Sequence, residues 1–154
     1  MACRRGAALS LLLDANLLIY GTLPAMPEHG PTRAWLVERL EDPGELVGLA
    51  WPALYAMVRV VTSRRIMGAE AVTLPAAWEA ATAYLEQDNT HLVEAGPLHN
   101  AIAGELLQTP GLQSEDVPDV HLAALAIEHG LILCSHDHGF ARFPRLTWQD
   151  PLTA

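Results

Sequence analysis

Hydrophobic positions along the chain fall into two kinds of run. "LSLLLD" (9–14), "ELVGLA" (45–50), "HLVEAG" (91–96) and "LILCS" (131–135) are short and almost uninterrupted, as expected of strands buried on both faces of a parallel sheet. Between them the apolar residues are spaced as on helices. "PTRAWLVERLED" (31–42) has Pro31 near its start and Pro43-Gly44 beyond its end, the usual punctuation of a helix. "WPALYAMVRVVTSRR" (51–65) is apolar at 54, 57, 58 and 61, and "LPAAWEAATAYLEQD" (74–88) sets Trp78, Ala81, Tyr84 and Leu85 along one face. "LHNAIAGELLQ" (98–108) and "VPDVHLAALAIEHG" (117–130) follow, separated by the loop "TPGLQSED" and closed by Gly130 in a C-cap position. The chain then ends through "HGFARFP" and "RLTWQDP". Strands alternating with helices predict a three-layer α/β/α sandwich around a central, mostly parallel sheet. With no repeat or linker, the 154 residues read as one domain with its core over about 9–152.

Composition sharpens this picture. Hydrophobic residues make up 51% of the chain and charged ones 18%, which excludes disorder, and no apolar run approaches the roughly 18 residues of a membrane span. The start "MACRRGAALSLLLDANLLIYG" resembles a signal peptide. Asp14 and Asn16 interrupt its apolar stretch and no clean cleavage site follows, so a buried first strand is the preferred reading. Cys3 and Cys134 have neither disulfide-framework nor zinc spacing, which fits a reducing cytoplasm. The net charge is -9 and all nine cations are arginine. An acidic surface binds nucleic acid poorly, unless the acids hold a metal that carries the positive charge. Without lysine, every mechanism needing a lysine amine is excluded.

Three acids stand where strands and helices meet. Asp14 ends the first apolar run, Asp137 follows "LILCS", and Asp119 lies in the first turn of the helix leading into that strand. In open α/β sheets such positions converge at the carboxyl edge. Clustered carboxylates repel unless a cation neutralises them, and hard oxygen donors suit Mg²⁺ or Mn²⁺. Metal-assisted attack of water on a phosphodiester is the chemistry that follows. Structural roles compete: Asp116 and Asp119 bracket Pro118 at a helix start, where acids cap and complement the dipole, and Asp137 suits a turn. Asp14 is harder to explain structurally, because burying a carboxylate without a partner is costly. His136 and His138 flank Asp137 but match no zinc motif; they read as incidental, solvated loop histidines. The arginines, among them Arg59, Arg64, Arg65, Arg142 and Arg145, are the only permanent cations available for phosphate contacts, with ion pairing to the surplus acids as their structural alternative.

"LLLDANLLIYG", "PDVHLAALAIEHG" and "ILCSHDHGFARFPRLTWQDP" closely resemble PIN domains, in particular a mycobacterial-type group of VapC-like toxins from type II toxin–antitoxin pairs. The resemblance runs from about residue 10 to 152. It implies a five-stranded sheet and an Mg²⁺- or Mn²⁺-dependent endoribonuclease acting on transfer or ribosomal RNA. It also implies a homodimer, inhibition by a cognate VapB-like antitoxin, a cytoplasmic location and no membrane association. Position by position, the family acids fall on Asp14, Asp119 and Asp137. Asn16 matches the supporting polar residue, Ser135 the usual threonine, and Asp116 is an additional candidate for lining the site.

Two departures stand out. Ala56 in "LYAMVRV" occupies the place of the second family acid, and Gly139 that of a further acid beside a second metal. One tightly held ion is therefore expected rather than two. A catalytically weakened module that still binds RNA or antitoxin is the alternative. Other α/β readings fail on the residues: a receiver domain needs a lysine, a haloacid-dehalogenase-like phosphatase needs an aspartate where Asn16 stands, and dinucleotide binding wants G-x-G-x-x-G after the first strand.

Overall fold

The computed structural model describes residues 10–153. Cys3 and the arginines of the signal-peptide-like start lie outside the described residues. Five strands, β1 (Ser10–Leu13), β2 (Leu46–Leu49), β3 (Thr90–Leu92), β4 (Ile132–Cys134) and β5 (Trp148–Gln149), form one sheet in the order β3-β2-β1-β4-β5, and every pairing is parallel. The helices among the described residues are α1 (Ala15–Thr22), α2 (His29–Glu41), α3 (Trp51–Val61), α4 (Arg64–Met67), α5 (Leu74–Ala83), α6 (His99–Leu106) and α7 (Val117–His129).

The strands β1, β2 and β4 bury both faces, whereas β3, at the sheet edge, leaves His91 and Leu92 exposed. Leu11 and Leu13 of β1, with Val47, Leu49 and Cys134, pack against Leu17, Leu18, Leu36, Leu54 and Met57 from α1, α2 and α3. Leu12 and Leu133 point the other way, into a second core with Ile102 and Leu106 of α6, Leu122 and Leu125 of α7, and Phe140 and Phe143. Alternating residues of one strand thus feed two helical layers, which makes the expected three-layer sandwich. Gly48 on β2 is needed for a close approach: a Cβ there would stand 2.7 Å from Val93 Cγ2 and 2.9 Å from the Leu11 carbonyl oxygen.

Several details differ from the pattern. Residues 15–22, to which the pattern assigns no element, form the helix α1, started where the Asp14 side chain accepts a hydrogen bond from Ala15 N. The run 51–65 breaks after Val61, and Ser63 caps the short α4 separately. On α5 the buried face is Ala77, Ala81 and then Tyr84 in a 3₁₀ turn. Trp78 lies outside that face, partly exposed and stacked on Trp51 with centroids 6.1 Å apart. The third strand ends at Leu92. Gly130 adopts the left-handed conformation (φ 65°) that ends α7.

Candidate active site

The strand order reverses at β1, whose neighbours β2 and β4 leave in opposite directions along the sheet. A crevice opens at the carboxyl ends of adjacent strands that part in this way. Asp14 follows β1 directly, and its backbone N–H extends the ladder to the Cys134 carbonyl at 3.0 Å. Ser135 and Asp137 follow β4. The first turn of α7, with Pro118 setting its start, brings Asp119 to the same edge.

A buried hydroxyl ties these pieces together. Ser135 Oγ donates to Asp14 Oδ2 at 2.7 Å and accepts from Asn16 Nδ2 at 3.1 Å and from Asp137 N at 3.0 Å. Asn16 also accepts, through Oδ1, from His136 N at 3.4 Å. The Trp148 indole N–H donates to the Ser135 carbonyl at 3.0 Å and fixes the loop from the β5 side. Asp137 Oδ1 accepts from Gly139 N at 2.9 Å, so its turn-forming role and its place at the crevice coexist.

The carboxylates feel one another. Burial pushes Asp14 above its usual range, hydrogen bonds from Ser135 and Ala15 oppose the rise, and the Asp137 charge adds to it. Asp119 is raised from 3.8 to about 6, first by burial and then by the charges of Asp137 and Asp14. Arg142 pulls it down and Asp116 adds a smaller push upward. Arg142 Nη2 lies 3.0 Å from Asp119 Oδ2 and 3.3 Å from Asp116 Oδ1. Asp116 does not cap α7 with its side chain; it accepts from Gln113 N across the preceding 3₁₀ turn. It meets the cluster through its pairing with Arg142 and through its charge on Asp119.

The wall facing the acids is apolar. Asp14 and Asp119 share a cleft with Pro52, Ala53 and Ala56 of α3 and with His121 and Leu122 of α7. Ala56 thus faces the acids where a further carboxylate would complete the ring. At Gly139 a Cβ would lie 3.0 Å from Asp137 Oδ1 and 3.2 Å from Arg142 Nη1, so a side chain here would reach the same cluster. His121, whose proton affinity is lowered by burial and then by His99, belongs to the cleft wall. Sequence spacing offered no signal for it beyond its lying two residues after Asp119.

The loop histidines depart most from expectation. His136 Nδ1 and His138 Nε2 both approach Asp150 Oδ2, at 2.9 and 2.7 Å. They are engaged rather than merely solvated, although His138 remains exposed. Asp150 had no motif to mark it. Of the arginines, Arg142 and Arg145 are ion-paired, the latter with Glu105 at 2.8 Å. No ion pair involves Arg59, Arg64 or Arg65 among the described residues.

The fold and the acids at its switch point define a class of parallel α/β proteins built around a carboxylate-lined crevice. The PIN domain model matches residues 11–146, and the chain belongs to the PIN domain family. It is 37% identical over 142 residues to Ribonuclease VapC33 of Mycobacterium tuberculosis (strain ATCC 25618 / H37Rv), covering 92% of this chain and 98% of that one. Ribonuclease VapC37 of the same strain is 34% identical over 145 residues, covering 91% and 96%. Among solved structures, VapBC-1 from nontypeable Haemophilus influenzae shares the fold with a TM-score of 0.68 at 15% identity, covering 94% of this chain and 100% of that one. VapBC2 from Rickettsia felis, bound to a promoter DNA fragment, does so with a TM-score of 0.66 at 16% identity, covering 92% and 98%.

Proposed function

We propose that this chain is a metal-dependent endoribonuclease toxin, with Asp14, Asp119 and Asp137 as its metal-holding and catalytic residues. The observation that carries the proposal is the convergence of these three acids at one crevice, where burial and mutual repulsion hold Asp119 at about 6. Such a group favours a cation, and its all-oxygen donor set fits Mg²⁺ or Mn²⁺. The relatives named as ribonucleases, matched over most of their length, support the substrate class.

A divalent ion held by these carboxylates would activate a water and stabilise charge on the phosphodiester oxygens. Ser135 orients Asp14 through its hydroxyl and fixes Asp137 through the backbone, while Asn16 holds Ser135 from the side. Asp119, raised to about 6 by burial and by the charges of Asp137 and Asp14, is the carboxylate that gains most from a neutralising cation. Arg142 neutralises Asp119 and Asp116 and competes with an incoming cation for the same oxygens. The exposed Arg59, Arg64 and Arg65 at the end of α3 and on α4 are free of protein carboxylates among the described residues and suit backbone phosphates.

An antitoxin of VapB type is the proposed partner, supported by the fold shared with VapBC assemblies. A groove of about 440 Å³ with Leu36, Val37, Leu40 and Ala80 along it and Arg33, Glu41 and Gln87 among its polar walls offers the mixed surface an amphipathic peptide would fill. A homodimer and a cytoplasmic location belong to the same proposal. No helix among the described residues is long and apolar enough to cross a membrane.

A second reading has one specific observation in its favour. Ala56 and Gly139 leave the crevice short of acids, and Arg142 already pairs with Asp119, as in a domain that binds RNA or antitoxin without efficient cleavage. Purified protein should cut structured transfer or ribosomal RNA with Mg²⁺ or Mn²⁺, and Asp14→Asn should abolish the cutting. Equal inertness of wild type and mutant across metals and RNAs would favour the second reading.

A further inference from the structure

Around the turn after β5 a different donor set converges. His136 and His138 flank Asp137, and alternation along the loop sends their rings away from it, towards the turn after β5. There Asp150 is held rigidly. Its side chain is only 4% exposed, Oδ1 accepts from Leu152 N at 2.9 Å, and Oδ2 accepts from Thr153 Oγ1 at 2.5 Å. Both imidazoles also meet Oδ2, through His136 Nδ1 and His138 Nε2. The three ligand atoms all lie within 4.8 Å of one another, and the carboxylates of the crevice form no group as tight.

The rings are set by their neighbours. Tyr20 meets the His136 ring edge-on at 6.1 Å, Trp148 meets the His138 ring at 5.3 Å, and the two imidazoles stand at 89° to each other. Burial alone would raise the Asp150 carboxyl. Hydrogen bonds from Thr153, Leu152, His138 and His136 hold it instead at about 2, so it is ionised at neutral pH. An ionised carboxylate and two imidazole nitrogens on one point make a ligand set unlike the all-oxygen crevice.

We propose that His136, His138 and Asp150 form a second metal site, taking one borderline transition-metal ion such as Zn²⁺ and leaving a coordination position for water. Two nitrogens and one oxygen suit Zn²⁺, Co²⁺ or Ni²⁺ and are poor for Mg²⁺. Bonds of about 2.0–2.1 Å to a tetrahedral ion require ligand atoms roughly 3.3 Å apart. The two nitrogen–oxygen separations of 2.7 and 2.9 Å would widen by roughly half an ångström, and the two nitrogens lie within 4.8 Å of each other. The exposed His138 ring can supply that movement. Each neutral imidazole would carry its N–H on the other ring nitrogen, His136 Nε2 and His138 Nδ1, any further proton passing to solvent; the ion would then tie the loop after β4 to the turn after β5, with Asp137 between its two histidine ligands. The site does not rest on the ribonuclease reading.

The test uses the full-length chain freed of any histidine tag, stripped by chelator, and then held in excess Mg²⁺ so that a hard ion fills the crevice. Zn²⁺ is titrated by calorimetry, and Co²⁺ by its visible ligand-field bands. Wild type should bind one equivalent of Zn²⁺ and give the strong bands of a four-coordinate Co²⁺ site. His138→Ala and His136→Asn should each weaken Zn²⁺ by more than roughly tenfold, since loss of even an outer-shell partner costs that much. Asp137→Asn and Asp14→Asn should leave it unchanged. Equal Zn²⁺ binding in wild type and both histidine variants would overturn the proposal. So would loss of binding in Asp137→Asn with retention in His138→Ala, which would place the ion in the crevice. Far-UV circular dichroism matching wild type verifies that each variant is folded.

Discussion

Replacing Asp119 with asparagine removes a charge that the metal-free fold holds at a cost. The carboxyl rises from 3.8 to about 6, a shift of roughly two units at about 1.4 kcal/mol each, so about 3 kcal/mol at most. Its side chain keeps 26% of its surface in water, and screening there reduces the figure to about 1–2 kcal/mol. Asp119→Asn should therefore be more stable than wild type by that amount in chelator near neutral pH, although it keeps an amide oxygen for Arg142. The sign follows from linkage. An acid whose folded value is raised adds no cost when protonated in both states, below about pH 4, and its full cost above about pH 6. The advantage of the variant should thus shrink as pH falls through that window. Urea unfolding followed by the fluorescence of the four tryptophans, in matched buffers with chelator, measures it. A variant less stable than wild type at neutral pH, or a gain independent of pH, would refute the reasoning. Added Mg²⁺ should stabilise wild type and reverse the order.

Arg142→Gln should lower metal-free stability by about 0.5–1 kcal/mol and tighten Mg²⁺ binding several-fold by calorimetry, because Asp119 loses a competing cation. Ser135→Ala removes the hydroxyl joining Asp14, Asn16 and Asp137; it should cost about 1–3 kcal/mol and slow RNA cleavage about tenfold or more, while an unchanged rate would show that Ser135 positions nothing. Gly48→Ala meets Val93 and the Leu11 carbonyl and should cost about 1–3 kcal/mol in thermal or urea unfolding. Gly104→Ala on α6, where a Cβ meets nothing within 4 Å, should instead gain up to about 1 kcal/mol.

The α/β alternation was legible because strands buried on both faces must be apolar throughout, and "LSLLLD" and "LILCS" have few other uses. The same property hid α1. "ANLLIYG" is nearly as apolar as the strand before it and too short to show a helical period, so the hydrogen bond from Ala15 N to the Asp14 side chain is what marks the start of the helix. Trp78 was misplaced on α5 because helical spacing leaves the buried face uncertain by one position. The fifth strand, with only Trp148 and Gln149, is too short to carry a period and came from resemblance alone.

The candidate site divides in the same way. Of the three acids only Asp14 stood out from the chain itself, since a carboxylate closing a buried apolar run is costly without a partner; Asp119 at a helix start and Asp137 in a turn had equally good local roles, and their assignment came from the combination and the resemblance. Which charges would surround them depended on contacts between distant segments. Arg142 reaches Asp119 across 23 positions and sets the balance that the acids alone would leave repulsive. Asp150 reaches the histidines 12 and 14 positions before it because β5 pairs with β4 and returns the chain end to that loop. Local pattern therefore determines the longer strands and helices and the chain positions of the acids. Pairings across the sheet decide what those acids meet, because electrostatic and metal-ligand energies depend on distances that only the packed chain defines.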